Sequence, residues 1–370
     1  MSEAAPPPTR TLSRRQTWIL ILSLVFVSLA WIVIDQRRQV AAERPYHELA
    51  VVPASLQALA LVEDVTLDLP PVLGQDRVMF VGRLGDTEET ALMALDVNDG
   101  AVQWQWDEKT LTVPNGWPET WPWSPPFAWR WSGLAAADGA VYAVHAYVLA
   151  TAVHAYDIQT GELQWKRHLG QLNGSDADSF LLAEERLGIR VSEGDFNAFY
   201  WLNRENGYLL QQQQEDARYI FWLDEEPYRL YEASTDTVNV SQLAPWRRTV
   251  GGCGLIPQVV ESALVVQALG CEATPAQVWV LDRQSGAVLW AYEQGVMSNV
   301  AVNGRVTAFL STSGQLLLID TFTGQSIAAL TFQHSSTTIA PDSQFFVGVQ
   351  EDLLAVYFGD SGQLFLFRLL

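Results

Sequence analysis

The sequence predicts an all-β fold: a β-propeller of about seven four-stranded blades, with six to eight allowed, preceded by one N-terminal transmembrane helix. Three observations predict it. Residues 17–34 form a run without a charged side chain. Beyond residue 61 a hairpin unit built on Asp, Gly and often Trp recurs. After residue 60 no segment carries a convincing helical period. These divide the 370 residues into a cytoplasmic tail (1–16), a transmembrane signal anchor (17–34), a juxtamembrane stalk with helical character (35–60) and the propeller (61–370).

The anchor comes first in the chain. At 1.5 Å per residue, Thr17 to Ile34 spans about 27 Å as a helix, close to the hydrocarbon thickness of a bilayer. Only a helix satisfies the backbone of a single lipid-exposed span. Trp18 and Trp31 stand near its two ends, where indole rings favour the interface. Ser28-Leu29-Ala30 offers a small-x-small cleavage site, but the apolar run continues through Trp31 to Ile34, which favours an uncleaved signal anchor. No Cys precedes position 253, so lipid attachment at an N-terminal cysteine is excluded. Arg10, Arg14 and Arg15 precede the run, while Arg37 and Arg38 follow it beside Asp35. The balance slightly favours the N-terminus inside and the large domain outside, in the periplasm of a bacterial inner membrane.

The repeat sets the rest. An apolar strand ends at Asp, a small polar residue and Gly make the turn, and a second strand begins and plants a Trp. The unit reads Asp96…Gly100…Trp104, Asp157…Gly161…Trp165 and Asp282…Gly286…Trp290. Weaker copies are Asn203…Gly207 and Asp320…Gly324. An Asp side chain accepts backbone N–H bonds in such a turn, and Gly supplies the left-handed position. The spacings from one Asp (or Asn203) to the next are 61, 46, 79 and 38 residues. A four-stranded blade takes about 40–50 residues. The longest gap therefore holds two blades, one of them degenerate around Tyr219 to Val240, and the first holds one blade with an insertion. Room for a further blade follows Asp320. A strand near Val62 to Leu69 is expected to complete that last blade and close the ring, which removes exposed sheet edges.

Charge excludes some partners. The net charge is −20, and residues 1–44 contribute six Arg against three acids, so the remainder is more acidic still. Such a surface repels nucleic-acid phosphates. Cys253 and Cys271 stand 18 residues apart. That spacing suits two neighbouring strands, so the pair is a disulfide candidate, with two buried thiols as the alternative.

The repeated Asp-x-x-[Thr/Ser]-Gly-x-x-x-Trp unit, clearest at Asp157 to Trp165 and Asp282 to Trp290, resembles the quinoprotein-like (PQQ-like) propeller repeats over roughly residues 65–370. The resemblance implies that each Trp docks one blade on the next. It points to two branches. Quinoprotein dehydrogenases bind pyrroloquinoline quinone (PQQ) and calcium over the channel; this chain lacks the adjacent cysteine pair of many of them and is shorter. The non-enzymatic BamB-type scaffolds are closer, although this chain has a membrane span in place of their lipobox.

No catalytic constellation stands out. The five His (His47, His145, His154, His168, His334) lack the further Cys or His that a metal site needs at fixed spacing. Asp96, Asn98 and Asp99, like Asp176 and Asp178, do not complete a calcium loop. No metal, phosphate loop or nucleophile elbow is expected. The unusual segment is 117–131, which carries Trp117, Trp121, Trp123, Phe127, Trp129 and Trp131 among four Pro. Pro forbids a regular central strand, and stiffened indoles suit binding of a protein, a glycan face or a membrane interface. The alternative is a loop that buries its own indoles, with Trp129 and Trp131 already in the next strand. The sequence therefore leads to a membrane-anchored, non-enzymatic scaffold for an envelope protein partner, with no cofactor and no nucleic acid. The alternatives are a PQQ-dependent oxidoreductase and a glycan-binding propeller.

Overall fold

The computed structural model describes residues 47–49, 51–107, 130–147, 150–169, 176–182, 185–193, 196–216, 220–223, 226–234, 237–242, 246–271, 274–334 and 344–370. Among these residues every regular element is a strand. The proposed anchor, 17–34, lies outside them, and among the described residues no helix is long and apolar enough to cross a membrane.

Among the described residues, seven antiparallel sheets follow one another along the chain, within the expected six to eight. Blade 1 is built from Val65–Leu67, Val72–Gly74, Arg77–Leu84, Ala91–Asp96 and Val102–Asp107. Blade 2 holds Arg130–Ala137, Ala140–Tyr147, Ala150–Asp157 and Leu163–His168. Blade 3 holds Asp176–Leu182, Arg186–Glu193, Phe196–Asn203 and Leu209–Asp216. Blade 4 is the degenerate one: Ile220–Leu223, Glu226–Ser234, Thr237–Gln242 and Arg247–Gly251. Blade 5 holds Gly254–Val260, Ala263–Leu269, Gln277–Asp282 and Val288–Tyr292. Blade 6 holds Ala301–Asn303, Val306–Leu310, Gln315–Asp320 and Ser326–His334. Blade 7 holds Phe345–Gln350, Leu353–Phe358 and Gln363–Leu369.

Closure corrects the sequence reading. The strand that completes blade 7 is Leu56–Val62, paired antiparallel with Gln363–Leu369 from Leu56↔Leu369 to Val62↔Leu364. Val65–Leu67, expected to be part of the closing strand, belongs to blade 1 instead. A second segment of the expected stalk, His47–Leu49, adds a fifth strand to blade 6 against Phe332–His334. The propeller thus takes up residues from His47 onward, and the boundary at 61 is too late. The physical reason is that a sheet edge is satisfied by any extended segment that reaches it, and sequence distance does not enter.

The core lies between the sheets. Central strands are sandwiched between two neighbouring blades, so Ala91–Leu95 and Leu353–Phe358 are buried without alternation. Phe80 and Leu95 of blade 1 meet Tyr357 and Leu366 of blade 7 in one such layer. Met79 and Leu92 meet Tyr156 and Ile158 of blade 2 in the next. Each aliphatic or aromatic side chain buried this way contributes about 1.5–3 kcal/mol.

The repeat turns join blade to blade. In the turn of blade 2, Asp157 Oδ1 accepts the backbone N–H of Gln159 at 2.9 Å and of Thr160 at 2.8 Å. Gly161 has φ 72°, and a side chain there would meet Trp104 of blade 1, whose ring lies against it. The Trp104 indole N–H donates to the Ile158 carbonyl at 2.8 Å, and that of Trp106 to the Gly161 carbonyl at 2.7 Å. Trp165 lies in the same way on Gly207 and donates to Arg204 at 2.8 Å. Trp290 lies on Gly324 and donates to Thr321 at 2.7 Å. The Asp96, Asp282 and Asp320 turns share this design. The backbone N–H of Asn98 and the hydroxyl of Ser285 hold the Asp96 and Asp282 carboxyls below the usual range. At Asp320 the backbone N–H and hydroxyl of Thr323 do the same against the opposing effect of burial.

Candidate functional site

In an up-and-down blade the turns after the first and third strands share one end, and those after the second and fourth share the other. The Asp–Gly turns therefore all lie on one face of the ring, together with Asp76, Asp138, Glu261 and Glu351 at positive φ. Several of these acids are paired: Arg204 with Asp138, Arg77 with Asp96 at 2.7 Å, and Arg305 with Asp320. The opposite face carries His47, the Cys253–Cys271 pair, and both Asp107 and Arg130, the strand ends between which residues 108–129 run.

The Trp-rich residues divide accordingly. Trp117, Trp121, Trp123, Phe127 and Trp129 lie outside the described residues, with both flanking strand ends on the second face. Trp131 is in the inner strand of blade 2, paired with His145, and only 7% exposed. Its ring packs on His145 with centroids 3.9 Å apart. It is a packing residue of the blade.

That contact opens a cluster of buried rings in blade 2. His145 and His154 come from adjacent strands of blade 2, with ring centroids 4.4 Å apart. His154 Nδ1 and the Tyr156 hydroxyl are 3.0 Å apart. Among the described residues, neither ring nitrogen of His145 nor the indole nitrogen of Trp131 has a hydrogen-bond partner. Burial holds His145 well below the ordinary imidazole range, with the neighbouring His154 adding to it. Burial, then the Lys166 charge, lowers His154 from 6.5 to about 4. Both rings are neutral at pH 7. Among the described residues, no set of three His, Cys, Asp or Glu is placed to hold a metal.

Cys253 and Cys271 form a disulfide with Cα atoms 5.5 Å apart. It ties the start of blade 5 to the end of the blade's second strand, beside the Cys253 N–H to Leu269 carbonyl bond of 2.9 Å.

Among the described residues, those in and beside the inner strands of blades 1, 2, 3, 5, 6 and 7 line a cavity of about 440 Å³. Leu73, Ala135, Phe180, Pro257, Val302 and Val349 make its apolar wall, and Ser132, Gln258, Asn299 and Gln350 are its polar side chains. No carboxylate, guanidinium, ammonium or Trp is among the described residues lining it. A calcium-bound quinone needs carboxylates for the cation and cationic donors for its own acid groups. The described lining does not fit PQQ and calcium.

The family model described as outer membrane protein assembly factor BamB matches residues 55–292. The chain belongs to the BamB family. No curated protein gives a match. Among solved structures, BamB from Moraxella catarrhalis is 14% identical, with 85% of this chain and 99% of that one covered and a TM-score of 0.45. The computationally designed Ika8 protein is 11% identical over 84% and 99% of the two chains, with a TM-score of 0.47. A chain of the mitotic checkpoint complex is 11% identical over 87% and 93%, with a TM-score of 0.53, a likeness of fold alone. Membership of the BamB family matches the resemblance read from the Asp–Gly–Trp units, and the matched span takes in the closing strand from Leu56 through blade 5.

Proposed function

We propose that this protein is a membrane-tethered interaction scaffold of the bacterial cell envelope, acting by binding rather than by catalysis, in a role akin to outer-membrane protein assembly. Membership of the family described as outer membrane protein assembly factor BamB carries the reading. A ring latched by Trp–Gly contacts supports it, because a rigid scaffold presents its faces without ordering cost on association. In this reading residues 17–34 hold the chain in the inner membrane and the propeller stands in the periplasm. The disulfide fits an oxidising compartment.

Co-purification tests the proposal. The full chain, tagged at its C-terminus, is solubilised from membranes in mild detergent and its partners are identified. At least one envelope protein is expected in stoichiometric amount. Recovery of the chain alone, from membranes and after cross-linking, removes the proposal.

A further inference from the structure

Two segments carry the start of the chain into the ring, and they enter from opposite faces. Leu56–Val62, the outer strand of blade 7, begins on the Asp–Gly face. There Leu56 pairs with Leu369, whose N–H donates to the Asp352 carbonyl in the turn after the first strand, at 2.7 Å. His47–Leu49 begins on the other face. It runs antiparallel to the end of the outer strand of blade 6, with His47 opposite His334 and Leu49 opposite Phe332. Were Leu56 the first residue held, the preceding chain would leave the ring from the Asp–Gly face. Because His47 is held, it leaves from the opposite one.

The hold on His47 draws on two blades. Blade 6 supplies the ladder, and blade 7 supplies the side-chain contacts. The His47 N–H donates to Gln363 Oε1 at 2.7 Å, and its Nε2 stands 2.8 Å from Asp360 Oδ1. Its ring stacks on Phe358 with centroids 3.8 Å apart. The His47 and Asp360 side chains are both buried. Phe358 ends the second strand of blade 7 and Gln363 opens the third, so every one of these groups sits on the face opposite the Asp–Gly turns.

We propose that His47–Leu49 is an orientation clamp: it turns the face opposite the Asp–Gly turns toward the bilayer and presents the Asp–Gly face away from it. The inference rests on the reading of residues 17–34 as a membrane anchor. Twelve residues, 35–46, separate Ile34 from His47. At 3.3–3.6 Å per residue they reach at most about 43 Å. Ser326–His334, the strand on which His47 docks, has nine residues and runs from one face to the other, about 26 Å. The tether thus starts at one face, and the other lies a strand's length beyond it. Exposed Asp86 and Glu88 on the near face repel anionic head groups, so the tether and not adsorption brings that face to the membrane.

Energy transfer tests the proposal on the full chain in vesicles of phosphatidylethanolamine and phosphatidylglycerol with acceptor-labelled head groups. The two native cysteines are paired, so a single introduced cysteine carries the donor alone. Glu88→Cys and Glu293→Cys place it on the His47 face, and Glu162→Cys and Gln284→Cys on the Asp–Gly face, all at exposed positions. Donors on the His47 face are expected to lie about 20 Å nearer the head groups. Equal distances, or a nearer Asp–Gly face, in protein that resists alkaline extraction overturn the proposal and leave the anchor reading standing. Extraction by alkali removes the anchor reading, and the proposal falls with it. A second arm combines His47→Ala with Glu48→Pro, which takes the ring and a backbone N–H from the clamp. The difference between the faces is then expected to shrink by at least half. An unchanged difference in the folded variant shows that the clamp does not set the orientation, and the proposal fails.

Discussion

The buried imidazoles of blade 2 make stability depend on pH in a defined window. His154 is held at about 4, against an ordinary value of 6.5, because burial disfavours its cation and Lys166 adds like charge. Between those values the unfolded chain binds a proton that the folded chain refuses. Stability is therefore fully present above pH 6.5 and is lost as the pH falls through 4. At about 1.4 kcal/mol per pH unit for each proton, the gap amounts to roughly 3 kcal/mol. His145 is shifted the same way and adds to the slope. The perturbation that isolates one proton is His154→Phe, which keeps an aromatic ring and removes the titrating group. It leaves the Tyr156 hydroxyl without its nitrogen partner, at a cost of about 1 kcal/mol at neutral pH. Urea midpoints measured from pH 7.5 to 4 give the comparison. The wild type is expected to lose about 3 kcal/mol more than the variant over that range. The lowered carboxyls of Asp96, Asp282 and Asp320 do not interfere, since their contribution is lost only below their unfolded value of 3.8. Parallel curves for the two proteins refute the reasoning.

Two further outcomes are expected. Trp165→Ala removes a buried indole from Gly207 and frees the Arg204 carbonyl, so thermal and urea unfolding should report a loss of about 3–5 kcal/mol; a loss below 1 kcal/mol would deny the indole its latching role. The disulfide closes a loop across 18 residues of sequence, and the Cys253→Ala, Cys271→Ala double variant should lose about 3 kcal/mol, while wild-type protein treated with a reductant should fall to the same midpoint.

What was legible in the sequence is what short-range chemistry writes. The Asp–Gly turns are read within five residues, because the carboxylate, the backbone N–H groups it accepts and the left-handed Gly are all local. Blade 4 was legible only from the length of the gap, since its turn between Thr237–Gln242 and Arg247–Gly251 carries neither residue. Trp131 stood in the Trp-rich segment as a binding candidate. Its pairing with His145 makes it a core side chain, in keeping with the alternative that placed Trp131 in the next strand; which face of that strand is buried was set only by the neighbouring strand. His145 and His154 were legible as two His of one blade on either side of a hairpin; that they share one buried face was not, because the alternation that brings them together acts between two strands whose register is set by the turn.

The sequence by itself determined the repeat, the hairpin register within each repeat and the acidic character of the chain, since those rest on neighbours along the backbone. Tertiary structure alone decided the closure. Most of Leu56–Val62 was read into a stalk with helical character; it is a strand because Gln363–Leu369, some three hundred residues away, offers it an edge of unpaired N–H and C=O groups. His47–Leu49 is a strand for the same reason. A sheet edge is satisfied in space, and the identity of its partner is set by which segment the folded ring brings within hydrogen-bond reach.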